Sequence, residues 1–435
     1  MMDHQMAVAP LSDRQSLEWP VGMRLRKLRI ALYSHDTMGI GHMRRNLLIA
    51  ETLAQELSPA VILLIAGARE VNAFDIPPGV DCLSLPALRK ADNGQYQARH
   101  LDLPLDELIG LRALSISAAL EMFAPDIFLV DKVPRGAVNE LDPALESLRR
   151  HRRTRCVLGL RDVLDEPVVV RREWHEAAGD QAVRDYYDAI WVYGDPAIYD
   201  PVVEYGFAPD VAAKIRYTGY LDRRQRSRFA DVDGTAAFLA RLKGSAGRLA
   251  LCMVGGGQDG TQLAEAFAQS DFPPDMKGLI LTGPFMPPEA QQRLERLAVA
   301  NPRVHIIPFV ADTCLLLERA DRVITMGGYN SVCEVLSYGK AALVVPRVQP
   351  RQEQLIRAER LRDLGLLDLL HPQNLNPCAL TEWLSRDLPP RPRAREHIDL
   401  NGLANLPSLL AELLDAPSWC GRGLRPERRL PHVAC

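Results

Sequence analysis

Two short segments combine glycines with side chains that handle anions and protons. In Gly39-Ile40-Gly41-His42-Met43-Arg44-Arg45 a histidine and two arginines follow a glycine pair; in Gly327-Gly328-Tyr329-Asn330-Ser331 the glycines lead to amide and hydroxyl groups, with Glu334 about one turn on. Each segment follows an apolar run and opens a helical pattern. Each is therefore expected to aim unpaired backbone N–H groups, backed by the positive end of a helix dipole, at one point. Such a place suits a phosphate. Two of them far apart in one chain point to a ligand held between two domains, with chemistry at the seam. His42, whose imidazole can titrate near neutral pH, is expected to take a proton from an incoming hydroxyl, the alternative being a passive cap or phosphate ligand. His35 and Asp36, just before it, are alternates. Arg44 and Arg45 leave a helix in different directions, so at most one is expected in the cleft and the other in water.

Further candidates sit where strand patterns end. Asp131 closes Ile127-Phe128-Leu129-Val130 and could orient a substrate or assist His42, or simply cap a loop; Arg161-Asp162 holds the same place after the next run. Gly255-Gly256-Gly257-Gln258-Asp259-Gly260 forms a third glycine turn, where Gly256 and Gly257 would let a backbone approach a ligand. Asn330 or Ser331 can cap the helix they open, and Glu334 can accept from a ribose diol or tie back the first turn. Phe309 and Val310, at the end of another run, offer a stacking ring and free amides to a planar base. Glu353 and Gln354 begin a helix beside the glycine loop, where a sugar hydroxyl could be met. The run Arg149-Arg150-His151-Arg152-Arg153-Thr154-Arg155 reads as a solvated helix end, the sharper alternative being an anionic headgroup or diphosphate.

These residues need a scaffold, and the chain supplies one. Short β-branched runs at 28–33, 61–66, 126–130, 156–160 and 189–193 alternate with helical patterns, and a second series follows at 249–254, 278–282, 304–308, 322–325 and 341–345. The fold class expected is α/β, with two doubly wound, Rossmann-like parallel-sheet domains facing a cleft. Boundaries fall at 1–27 for a polar leader, 28–222 for the first domain, 223–247 for a glycine-bearing linker and 248–383 for the second domain. Helices at 384–415 are expected to pack back on the first domain, before an arginine-rich tail at 416–435.

Bulk properties exclude several classes. With 435 residues, 47% hydrophobic and 25% charged, the chain is a globular protein of more than one core. Its formal charge of −3 argues against a nucleic-acid partner. Eight cysteines without a Cys-x-x-Cys pair suit a reducing compartment rather than disulfides or structural zinc, and no metal site is expected. Residues 1–26 lack a signal-peptide core, and no run reaches the ~20 apolar residues of a membrane span. The expectation is a cytoplasmic protein, with peripheral membrane contact left open.

The order Pro308-Phe309-Val310, Ala320-Asp321, Thr325 to Ser331, Glu334, Gly339-Lys340-Ala341, Pro346 and Gln352-Glu353-Gln354 resembles the C-terminal domain of the GT-B glycosyltransferases. The group in question contains the peptidoglycan N-acetylglucosaminyltransferase and the plant galactolipid synthases. Gly39-x-Gly41-His42 is similar to that group's acceptor-side glycine loop, and also to the Gly-x-Gly-His-x-x-Arg of a UDP-sugar hydrolase. The resemblance implies uracil at Phe309 and the Val310 backbone, ribose at Glu334, diphosphate along Gly327, Gly328, Asn330 and Ser331, and donor-sugar hydroxyls at Gln354 and Glu353. It departs from the family at Arg357, where asparagine is usual, and at Gln258-Asp259, where serine is.

The function this implies is an inverting, metal-independent glycosyltransferase with a UDP-sugar donor, no cofactor, and a glycan, lipid-linked or small-molecule acceptor, in cell-envelope or polysaccharide synthesis. A UDP-sugar hydrolase or epimerase on the same scaffold, and a non-catalytic nucleotide-sugar-binding protein, are the rival readings.

Overall fold

The computed structural model of the chain describes residues 27–35, 41–57, 59–67, 76–90, 95–226, 238–239, 242, 247–310, 312–388 and 392–415. Gly39 and Asp36 lie outside them, as do most of the expected leader, much of the 223–247 segment and the tail.

The apolar runs become strands buried on both faces, as parallel sheets covered by helices require. The first sheet has seven strands: β1 (Leu28–Ser34), β2 (Ala60–Ala66), β3 (Val80–Ser84), β6 (Ile127–Asp131), β7 (Arg155–Arg161), β8 (Ala189–Tyr193) and β9 (Ile215–Tyr217). Their order is β3-β2-β1-β6-β7-β8-β9, every pair parallel. A small antiparallel pair, β4 (Leu88–Lys90) and β5 (Tyr96–Ala98), stands apart. The second sheet, β10 (Arg248–Met253), β11 (Met276–Leu281), β12 (Val304–Ile307), β13 (Arg322–Thr325), β14 (Ala341–Val344) and β15 (Asp368–Leu369), is ordered β12-β11-β10-β13-β14-β15 and is also parallel.

Both sheets start in the middle, wind one way and then cross to the other side. The reversals fall between β1 and β6 and between β10 and β13, the place where an open parallel sheet leaves a crevice at its strands' C-terminal ends. The two crevices face each other.

Buried charge joins the two halves. Arg357, on the helix Glu353–Asp363, reaches Asp162 just after β7 with Nε to Oδ2 at 2.8 Å and Nη2 to Oδ1 at 2.6 Å, and neither side chain is exposed. Arg351 spans the same gap to Asp165 (3.1 Å) and Glu173 (2.8 Å). Tyr220 stacks on Tyr329, ring centroids 6.2 Å apart, and donates its hydroxyl to Asp162. The last helix, Gly402–Asp415, buries Leu403, Leu406 and Leu410 and lies against the helix Gly41–Glu56; Asn405 beside them donates to the Thr218 carbonyl. In the basic run, residues 149–153 are exposed, with Arg149 3.3 Å from Asp185 and 6.0 Å from the Tyr186 ring centroid. No described helix is long and apolar enough to cross a membrane.

Candidate functional site

The crevices merge into a cleft of about 230 Å³. Gly41, His42, Arg44, Arg45 and Arg161 line it from the first domain; Gly255 to Asp259, Gly328 to Ser331, Arg347 and Gln354 line it from the second.

His42 is the second residue of the helix Gly41–Glu56, the first helix after β1 in the chain. Its Nδ1 lies 2.5 Å from Oδ2 of Asp131, the last residue of the adjacent strand β6. Nδ1 also lies 3.0 Å from Nη2 of Arg45, which can only donate, but the carboxylate contact is the shorter and an ionised carboxylate only accepts; with the proton on Nδ1 for Asp131, Nε2 keeps its lone pair. One turn on, Arg45 places Nη2 2.5 Å from Oδ1 of the same carboxylate. Its guanidinium carbon lies 5.7 Å from the Tyr193 ring centroid and 5.6 Å from that of Tyr329. Burial alone would raise the Asp131 carboxyl; Arg45 and then His42 outweigh it and hold the acid well below the usual carboxylate range. For His42 the balance runs the other way. Its burial outweighs the attraction of Asp131 and lowers the imidazole to about 4, so the ring is neutral throughout the physiological range.

Both arginines of the first motif enter the site, contrary to the expectation that one would be solvated. The helix start is wedged between the domains, so two directions both meet protein: Arg45 turns to Asp131 and Arg44 crosses to Glu334 at 3.4 Å. His35 is 3% exposed, with Nε2 3.3 Å from the Tyr96 hydroxyl, and it does not line the cleft. Among the two histidines, only His42 combines access with an orienting acid.

Opposite, the helix Tyr329–Tyr338 begins at Gly328 with no side-chain cap. The expected cap by Asn330 or Ser331 does not form, because Asn330 instead donates Nδ2 to the Gly41 carbonyl across the cleft at 2.9 Å. The first-turn amides are left for something else. Gly327 has φ 81, and a side chain there would strike Val344. In the neighbouring turn Gly257 has φ 95, and an added Cβ would strike the Thr282 carbonyl oxygen and the Met286 amide. Gly257→Ala is therefore expected to cost about 2 kcal/mol or more of stability and to deform the turn; a urea midpoint unchanged from the parent would contradict it.

Other expected site residues fall behind or beside this cleft. Glu334 is 1% exposed and accepts from Thr313 Oγ1 (2.9 Å), Arg44 and the buried Arg223, all through Oε1. No bond among the described residues reaches Oε2. Glu353 is buried and takes Nη2 of Arg347 at 2.9 Å, while Gln354 lines the cleft and receives the Arg347 amide at 2.9 Å. Phe309 and Val310 follow β12, two strands from β10, which sets them roughly 10 Å along the sheet edge from the Gly255 turn. Sequence reading missed Arg357 as a clamp on Asp162, since its partner lies 195 positions away and no local pattern announces it. No group of three or more His, Cys, Asp or Glu among the described residues could hold a metal ion.

Residues 250–410 match the glycosyltransferase family 28 C-terminal domain. The UDP-N-acetylglucosamine--N-acetylmuramyl-(pentapeptide) pyrophosphoryl-undecaprenol N-acetylglucosamine transferase of Acinetobacter baumannii is 28% identical over 132 residues, 29% of this chain and 36% of that protein. The matched segment thus spans about a third of the length of such relatives. Among solved structures, the calicheamicin glycosyltransferase CalG4 is similar with a TM-score of 0.56 at 17% identity, over 91% of this chain and 100% of that one. The UDP-GlcNAc 2-epimerase of Neisseria meningitidis bound to UDP-GlcNAc has a TM-score of 0.56 at 14% identity, over 89% and 99%. At these identities the likeness is one of fold, and the fold is GT-B.

Proposed function

We propose that this chain, whose residues 250–410 match a glycosyltransferase family 28 C-terminal domain, transfers a sugar from a UDP-sugar to an acceptor hydroxyl with inversion. The observation that carries the reading is the opposition across one cleft of His42, its tautomer set by Asp131, and the uncapped helix start at Gly328 to Ser331. One lip can accept a proton; the other can receive a developing anion.

In this scheme the diphosphate lies against the amides of Gly328 to Ser331 and the Gly255 to Gly257 turn. The uridine runs along the sheet edge toward Phe309 and Val310, with Glu334 Oε2 the atom left for a ribose hydroxyl. Gln354 meets the sugar. The acceptor hydroxyl approaches Nε2 of His42, which takes its proton as the oxygen attacks the anomeric carbon, and the bond to the diphosphate breaks in the same displacement. Asp131 stays ionised and steadies the imidazolium. Charge gathering on the leaving diphosphate meets N–H dipoles already in place. The acceptor is a glycan, a lipid-linked sugar or a small molecule on the first domain, reached from the cytoplasm or the membrane face; no step calls for a metal.

The test is release of UDP from UDP-sugars with and without acceptor fractions. Acceptor-dependent release with an inverted product supports the transferase. Isomerisation or free sugar without acceptor favours instead an epimerase or hydrolase, which the fold likeness to a UDP-GlcNAc 2-epimerase keeps as the second reading.

The depressed imidazole sets a pH dependence. His42 is already neutral at pH 6.5, so kcat/KM should stay level on acidification and fall only on a limb near pH 4. Between about pH 6.5 and 4 the unfolded chain binds a proton here that the folded one does not, so the contribution to stability shrinks as pH falls through that window. A kinetic limb at 6.5 would contradict this environment for His42.

A further inference from the structure

Arg45 is held by one nitrogen. Among the described residues its side-chain hydrogen-bond contacts both run through Nη2, which lies 2.5 Å from Oδ1 of Asp131 and 3.0 Å from Nδ1 of His42, while its Nε is shut from solvent without a hydrogen bond. A two-pronged grip fixes the plane of a guanidinium; a single nitrogen leaves it able to pivot.

Aromatic rings supply the missing constraint. The guanidinium carbon stands 5.7 Å from the centroid of Tyr193, at the end of β8, and 5.6 Å from that of Tyr329, the first residue of the helix Tyr329–Tyr338 in the second domain. Both separations lie within reach of a cation–π contact, which is strongest where water is excluded, and Arg45 is only 2% exposed. The Tyr329 ring is itself fixed: Tyr220 stacks on it at 6.2 Å, and the Arg357 guanidinium carbon, clamped on Asp162, lies 5.7 Å from its centroid. Beside this contact Asn330 donates Nδ2 to the carbonyl of Gly41, the residue before His42, at 2.9 Å. The two helix starts are thereby pinned together, and the ring meets Arg45 at a set place.

The pivot matters because it decides a tautomer. While Nη2 rests on Oδ1 of Asp131, Oδ2 takes the proton of Nδ1 and Nε2 of His42 keeps its lone pair. Arginine only donates. Were Nη2 to swing onto Nδ1, that nitrogen would have to accept, the proton would move to Nε2, and the atom facing an acceptor hydroxyl would have no lone pair to offer.

We infer that Tyr329 is a positioning residue for the base: its ring, brought by the second domain, keeps Arg45 on Asp131 and off Nδ1, so that His42 holds the tautomer that can take a proton. This rests on the transferase reading and names how the donor-side domain arms that base.

NMR of the full chain, isotope-labelled in its histidine ring nitrogens, tests it, because nitrogen shifts tell the two neutral tautomers apart; the His42 signals are those lost in His42→Ala. The parent and Tyr329→Phe, which keeps the ring, are expected to show the form protonated on Nδ1. Tyr329→Leu is expected to gain the form protonated on Nε2 and to lose about tenfold in kcat, read as UDP release with an acceptor fraction that supports turnover, while calorimetry finds UDP bound with parental affinity. In a His42→Ala background that loss should vanish, since the two residues act as one unit. Melting is checked first, and Tyr329→Met, which fills more of the space, replaces the leucine variant where that one does not fold. A parental tautomer in the folded variant overturns the inference, as does an equal loss in Tyr329→Phe, which assigns the hydroxyl instead, or a loss that persists without His42. A matching loss of UDP affinity also overturns it, placing the ring in the nucleotide seat. No binding of UDP by the parent sinks the transferase reading beneath; an unmoved His42 signal in Tyr329→Leu sinks this inference alone.

Discussion

Replacing His42 with alanine should lower kcat by about 100-fold to 10,000-fold while UDP still binds with parental affinity, because the ring moves a proton and the nucleotide is held on the other lip. Asp131→Asn is the companion. Its amide can present an N–H to Nδ1, favouring the tautomer whose proton sits on Nε2, where a base needs its lone pair. It also leaves Arg45 without its buried counter-charge. A loss in kcat comparable to that of His42→Ala is expected, together with lower stability. Steady-state kinetics with calorimetry separate the roles: a His42→Ala enzyme with parental kcat would remove the histidine from catalysis, and one that no longer binds UDP would make it a phosphate ligand.

The second large effect is on stability. Arg357→Leu leaves the Asp162 carboxylate fully buried with only the Tyr220 hydroxyl and no cation. Breaking a buried pair on one side costs about 3 to 5 kcal/mol, since the remaining charge has lost water without compensation. Because the pair bridges the domains, the helix Glu353–Asp363 should also loosen against β7, raising KM for the donor. Replacing both partners by apolar side chains should recover a large part of the loss. A single variant with an unchanged urea midpoint would mean that the pair holds nothing together.

Much of the scaffold was legible in the sequence because it rests on local rules. Long β-branched runs bounded by Gly, Pro or Asp become the central strands, and the Gly255–Gly257 and Gly327–Gly328 turns fall between strand and helix at the second sheet's switch point. The elements passed over were β3, β9 and β15, which are short, partly exposed edge strands without a continuous apolar run, and the β4–β5 pair.

In the site, His42 was singled out as a base by its chemistry, and Asp131, at a strand end, as a group that could orient a substrate or assist it. Their contact depends on β1 lying beside β6, a pairing that sequence pattern leaves open. Arg45 was misjudged for a related reason: helix geometry gives a direction, but whether protein or water waits there depends on the other domain. Arg357 drew notice only as a departure from a family pattern. Its role as a clamp belongs to tertiary structure.

The account stands on a nucleoside diphosphate lying between the helix start at Gly328 and the base at His42. A crystal structure of the full chain with UDP measures this most directly. Phosphate oxygens should lie about 3 Å from the backbone nitrogens of Asn330 and Ser331, with the uracil against Phe309 and the Val310 backbone. UDP bound away from these amides, or absent from the cleft at saturating concentration, would contradict it.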